Sequence, residues 1–320
     1  ENLVAVISWR RARLDIALVT ADNKIAFRDQ IPLTEEEDKV DKITSTFFNI
    51  MKPKVGDRSI MGLCIIIPGI IDAENKRILS TVIGVGYSDP VVQRFEEAFH
   101  DYPFCLLNDT ACFAYAEYVF ANITEPNFAY INVSKGVGAC LFANGKMLRG
   151  AGSNATQFGH FSVDRNGPLC ACGNHGCVER VVGENALTER AEACGIDLTR
   201  FAGRKPLYCD IGAMAEDGDV HAKELIKDLA VDLSFAISNL ITLFNPSLVV
   251  IGGMGVNLGP FFLSNIRDEV QNSGFKEFVS NTWIQYSTLG LDSELGGAAR
   301  YYIDHYYDFF EQMQGGLYAD

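Results

Sequence analysis

Apolar residues alternate closely with polar ones through three opening segments, 1–9 (ENLVAVISW), 14–20 (LDIALVT) and 24–33 (KIAFRDQIPL). Asn- and Asp-containing turns separate them, so the pattern predicts three short strands. The acid-rich stretch 35–52 then places Val40, Ile43, Phe47 and Ile50 at helical spacing. An uninterrupted apolar run at 61–69 (MGLCIIIPG) reads as a buried strand stopped by Pro68-Gly69. A short helix is expected over 90–100 and a strand over 104–109 (FCLLND), followed by a helix with Thr110 near its cap.

The same grammar returns from about residue 127. Segments 128–134 (FAYINVS), 137–144 (VGACLFAN) and 146–150 (KMLRG) read as strands joined by Gly-containing turns. A long helix is expected over 219–244, a buried strand ending in glycines over 247–255 (SLVVIGGMG), and a last helix from Leu295 through Met313. The recurrence suggests two related α/β domains facing one another across a cleft, 1–120 and 121–320, with the last helix returning to the first.

The chain has 320 residues, 48% hydrophobic and 21% charged, an ordinary globular composition. Acidic residues outnumber basic ones, 41 to 27, for a net charge of -14. Such a surface repels phosphate backbones, so DNA or RNA binding by these residues alone is not expected. No apolar run approaches the roughly 18 residues of a membrane span, and arginines interrupt the N-terminal apolar residues, unlike a secretory signal. A soluble cytoplasmic protein is expected. The absence of an initiator Met suggests a missing N-terminal segment.

Six of the nine cysteines, Cys64, Cys105, Cys112, Cys140, Cys194 and Cys209, are scattered singly and are expected to be buried free thiols. The other three, Cys170, Cys172 and Cys177, cluster a few residues beyond His160. Three thiolates and an imidazole form the four-ligand complement of a structural zinc. Gly173 and Gly176 would let the chain fold back tightly enough. His175 competes as the fourth ligand, and a disulfide or simple free thiols are the plainer readings.

Leu148-Arg149-Gly150, Phe158-Gly159-His160 and the C-x-C-G-x-x-G-C-x-E run from Cys170 to Glu179 resemble the signature of ROK proteins (repressors, open reading frames and kinases). The frame extends over nearly the whole chain, through IIIPGIID, LLNDTACFAYAE, SKGVGACLFANGKMLRG, LVVIGGMG and LGLDSELGGAAR. The resemblance implies a two-domain, actin-like ATPase (ribonuclease H-like) fold with a sugar in the interdomain cleft. Family members are sugar kinases, or repressors with an added N-terminal helix-turn-helix, and they commonly form homodimers or higher homo-oligomers. It also implies zinc on His160, Cys170, Cys172 and Cys177 within the loop 159–179. Asn108 and Asp109, with His160 and Glu179, would contact sugar, Asp109 matching the catalytic aspartate of the kinases. Gln157 stands where the family has a glutamate. An amide both donates and accepts, so the hydroxyl pattern recognised would change.

The phosphate-binding half departs from the kinase pattern. Where kinases carry Asp-x-Gly-Gly-Thr-Lys, this chain has Ser8-Trp9-Arg10-Arg11-Ala12-Arg13. A second phosphate loop, normally Gly-Thr-Gly, reads Ser134-Lys135-Gly136, and only the Gly252-Gly253 turn persists. The arginines would fill the phosphate space, or alternatively bind phosphate by charge. Phosphoryl transfer requires positioned phosphates and metal-neutralised charge. The expectation is therefore a carbohydrate-sensing domain of a ROK-type regulator without kinase activity, touching DNA only through a missing helix-turn-helix. A functioning ROK sugar kinase and a non-catalytic scaffold are the alternatives.

Overall fold

A computed structural model describes residues 2–72, 75–81, 90–151 and 155–307. The chain divides into two compact units, Glu1–Ile123 with Gly150–Asn154 and Leu289–Asp320, and Thr124–Arg149 with Ala155–Thr288.

In the first unit β1 (Asn2–Trp9), β2 (Arg13–Thr20) and β3 (Ile25–Pro32) form an antiparallel meander. Helix α1 (Lys39–Thr46) follows and runs into a π-helical turn at Phe47–Met51, so the apolar spacing seen in the sequence spans two helix types. Next come β4 (Ser59–Ile67), the small hairpin β5 (Gly69–Asp72) and β6 (Arg77–Thr81), α2 (Val91–Ala98), β7 (Phe104–Asn108) and α3 (Asp109–Phe120). The sheet order is β3-β2-β1-β4-β7, with β1, β4 and β7 parallel. Strands β1 and β4 are apolar nearly throughout because both their faces are covered.

The second unit repeats this order. β8 (Phe128–Val133), β9 (Val137–Ala143) and β10 (Lys146–Met147) form the antiparallel part. The expected strand 146–150 shrinks to two residues, because Gly150 adopts a left-handed turn at φ 70°. Helices α4 (Val178–Val182), α5 (Glu184–Ala193), α6 (Tyr208–Glu216) and α7 (Val220–Phe244) lead to β11 (Leu248–Gly252). Then follow α8 (Gly259–Gln271), α9 (Lys276–Ser280) and β12 (Trp283–Tyr286). The sheet reads β10-β9-β8-β11-β12, the last three parallel. Asp219 caps α7 by accepting from the N–H groups of His221 and Ala222, and Asn245 ends it in the left-handed region.

The last helix, α10 (Ser293–Tyr306), belongs to the first unit, where it packs on α3 and on β1. Its expected continuation to Met313 lies outside the described residues. Four of the six scattered cysteines are buried thiols as expected, whereas Cys194 is half-buried and Cys209 exposed on α6. Nor are they all isolated: Cys64 and Cys105 pair across β4 and β7 with sulfurs 3.6 Å apart, far beyond a disulfide bond.

Candidate functional site

The cysteine loop of the second unit is built on two adjoining backbone segments. A 3-10 turn at Phe158–His160 lies beside the start of α4, where the Val178 N–H donates to the Phe161 carbonyl at 3.0 Å. Between them the chain doubles back through bridges pairing Ser162 with Cys177 and Leu169 with His175. Gly176 makes this possible. Its φ is 60°, and a Cβ there would collide with the Asp164 carbonyl.

The ligand atoms of His160, Cys170, Cys172 and Cys177 all lie within 4.8 Å of one another. Cys172 Sγ and Cys177 Sγ are 3.6 Å apart, as are Cys170 Sγ and His160 Nδ1. A tetrahedral ion with bonds of about 2.3 Å to sulfur and about 2.05 Å to nitrogen has S–S and S–N edges of roughly 3.8 and 3.6 Å. The set therefore fits a four-coordinate metal ion, and the sulfur spacing excludes a disulfide. His175 is not part of it: its Nδ1 faces the Gly167 carbonyl at 3.0 Å. Burial pushes the Cys177 thiol up to about 12, whereas the Asn174 N–H holds Cys172 below its ordinary value. A bound cation would favour the thiolate throughout.

Glu179 follows in the first turn of α4, and its Oε2 accepts from the Val137 N–H at 3.3 Å. With Nδ1 of His160 turned to the sulfurs, only Nε2 of that ring is available to a ligand. Gln157 begins the same 3-10 turn, and it lines an apolar pocket with Leu141, Phe158, Phe161 and Leu240.

In the first unit the strand-end pair divides its tasks. Asn108, not Thr110, caps α3: its Oδ1 accepts from the Ala111 N–H at 3.1 Å, while its Nδ2 donates to the Gly69 carbonyl at 2.5 Å. Asp109 Oδ1 accepts from the Thr110 N–H at 2.8 Å, and Oδ2 lies 3.7 Å from Arg10 Nη1. Burial raises the Asp109 pKa, against the opposing charge of Arg10.

Arg10, in the turn between β1 and β2, points inward. Its Nη2 donates to Glu294 Oε1 on α10, and its Nε is 3.8 Å from Asp15 Oδ2. Arg13 holds the other Asp15 oxygen at 2.8 Å, and Arg11 is exposed. Two of the three arginines of this turn are thus engaged by carboxylates. Sequence reasoning missed Glu294, whose signal was a lone carboxylate on the helix face it shares with Gly297, Ala298 and Tyr301, all buried.

The Gly252-Gly253 turn has a local structural cause. Gly253 has φ 79°, and a Cβ on it would meet Asn132 and Ser134, while the Ser134 hydroxyl accepts from the Met254 N–H at 3.1 Å.

Two units of this strand order define an actin-like ATPase fold, and solved structures agree. The chain belongs to the ROK family, whose profile matches residues 8–304. It is 26% identical over 250 residues to the xylose repressor of Bacillus subtilis, covering 78% of this chain and 62% of that protein. The chain thus spans about three fifths of the length of that relative. A ROK transcriptional regulator, a homologue of the Escherichia coli Mlc protein, superposes with a TM-score of 0.82 at 23% identity, over 93% of this chain and 77% of that one. A Streptomyces griseus glucokinase solved with glucose and AMPPNP gives 0.76 at 22%, over 93% and 98%. Among the described residues no helix is long and apolar enough to cross a membrane.

Proposed function

We propose that this chain is the carbohydrate-sensing effector domain of a ROK-type transcriptional regulator and carries no kinase activity. The observation that carries the reading is the β1–β2 turn. Where the kinase pattern needs a metal-binding carboxylate and two glycines, the chain has a guanidinium turned toward Asp15, Asp109 and Glu294. A magnesium-bound phosphate would have to displace that arginine, and no carboxylate remains in the turn to hold the ion. The repressor relative supports the same reading.

In this proposal Asn108, Asp109, Gln157, His160 and Glu179 are the candidate sugar contacts, Asn108 contributing chiefly through its cap. A structural zinc sits on His160, Cys170, Cys172 and Cys177. Four protein ligands leave no open coordination position, so the metal would hold the loop and take no part in chemistry. DNA contact falls to an N-terminal helix-turn-helix of the longer protein, and the assembly is a homodimer or a higher homo-oligomer in the cytoplasm. Ligand acts by its differential affinity for two conformations.

Two measurements test this. With ATP and magnesium, D-xylose, D-glucose and N-acetyl-D-glucosamine should show no turnover above background; rates on the order of 1 per second, usual for kinases, would overturn the regulator reading. Calorimetry without ATP should find binding of at least one sugar. Asp109→Ala should weaken it by about 1.5–3 kcal/mol, as for a hydrogen bond to a charged group.

A further inference from the structure

Of the groups clustered on Asp109, the sugar reading leaves Arg10, Glu294 and Asp15 unused. Glu294 is 1% exposed, and Ser8 is fully buried. Ser8 Oγ and Glu294 Oε2 are both buried without a hydrogen-bond partner. Arg10 is anchored on Glu294 by a direct hydrogen bond, while at 3.7 Å it reaches Asp109 through charge alone. Asp109 Oδ2 thus takes no direct hydrogen bond from the guanidinium.

We infer that Arg10 is a positioning residue for ligand: anchored on Glu294, it holds Asp109 in the ionised form that accepts a sugar hydroxyl. This rests on the reading that Asp109 meets the sugar. The groups facing Asp109 are Arg10 from the β1–β2 turn, Glu294 from α10, Asp15 of β2 across the guanidinium, and Cys112 one turn along α3. Burial favours the protonated acid, Arg10 favours the carboxylate, and Glu294 when ionised opposes it. A neutral Asp109 would turn a donor toward a hydroxyl that is itself seeking an acceptor.

Arg10→Met removes the cation and should raise the protonation midpoint of Asp109. Burial keeps Glu294 protonated up to about pH 7, so Glu294→Gln, whose amide oxygen still accepts from Arg10, should leave that midpoint near native. In the ligand-free protein, carbon-detected NMR of the Asp109 carboxyl, assigned with Asp109→Asn, reads both variants without any sugar. The expected result is a rise of at least one pH unit for Arg10→Met and near-native midpoints for Glu294→Gln and Arg10→Lys. Calorimetry then uses whichever of D-xylose, D-glucose and N-acetyl-D-glucosamine binds the wild type. Below both midpoints Arg10→Met should bind it about tenfold more weakly for each pH unit by which its midpoint has risen, the gap closing at higher pH. A midpoint that stays in place in Arg10→Met would overturn the inference. If Arg10→Met fails to fold, Arg10→Gln carries the same test. A raised midpoint with no sugar bound by the wild type would retain the electrostatic role and defeat the sugar reading instead.

Discussion

A carboxylate shut away from water resists ionising, and burial pushes Glu294 from an ordinary 4.5 to about 7, with Arg10 opposing the rise. The folded chain then holds this proton more tightly than the unfolded one. Between those two values the native state binds more protons, so this group's contribution to stability falls as pH rises through the window and stays low above it. Glu294→Gln keeps the shape and removes the charge. Relative to wild type, its stability should improve by up to roughly 3 kcal/mol between about pH 4 and pH 8. Urea unfolding at several pH values checks this, and a difference flat across the window would show that Glu294 ionises as readily folded as unfolded. The sequence displayed Asp109 because a strand-end Asn-Asp pair announces itself locally. Glu294 reaches the same cluster from 284 residues beyond Arg10, and no local pattern carries that pairing. Asn108 shows the reverse problem: amide chemistry suits a sugar and a helix cap equally well, and only the Gly69 and Ala111 contacts reveal the cap.

Among the elements, the cysteine loop was legible as a metal ligand set because residue type and spacing suffice for it. The exclusion of His175 was not, since it depends on where one ring points. The loop buries few side chains: Cys170 and Cys177 are buried, whereas Leu169 is 64% exposed. Without metal it has little core to hold it beyond Val163 and Val178, while the second unit's sheet and α7 bury most of their apolar residues against one another. Cys172→Ser should therefore lose the metal, by elemental analysis, and most sugar affinity, while circular dichroism stays near native. Normal sugar binding by the metal-free variant would make the loop a structural staple with no tie to the ligand. Helix α7 was readable end to end because Asp219 and Asn245 are strong punctuation. The strand at 146–150 was over-read, since pairing with β9 stops at Met147, ahead of the turn at Gly150.

At the scale of the whole molecule, the repeated grammar was legible because each half writes the same five-strand order with the same apolar signatures. The return of α10 to the first unit was expected from the recurrence, and the tertiary structure shows how it is held, with Leu295, Ala298, Tyr301, Tyr302 and Ile303 buried. That return sets an order of events during synthesis. The ribosome releases β1 through α3 first, yet the helix that covers them follows only after residue 289. At about 5–20 residues per second, the intervening stretch takes roughly 8–35 seconds to appear. Through that interval the first sheet stands without α10, whereas the second unit has all its strands by Tyr286. The nascent first unit should thus expose apolar surface for longer than the second, whose sheet is complete sooner. A chain stopped after Thr288 should show a protease-resistant second unit, residues 124–149 and 155–288, and a labile portion before Thr124. Resistance of the N-terminal portion in that truncated chain would mean that the first sheet matures without its final helix.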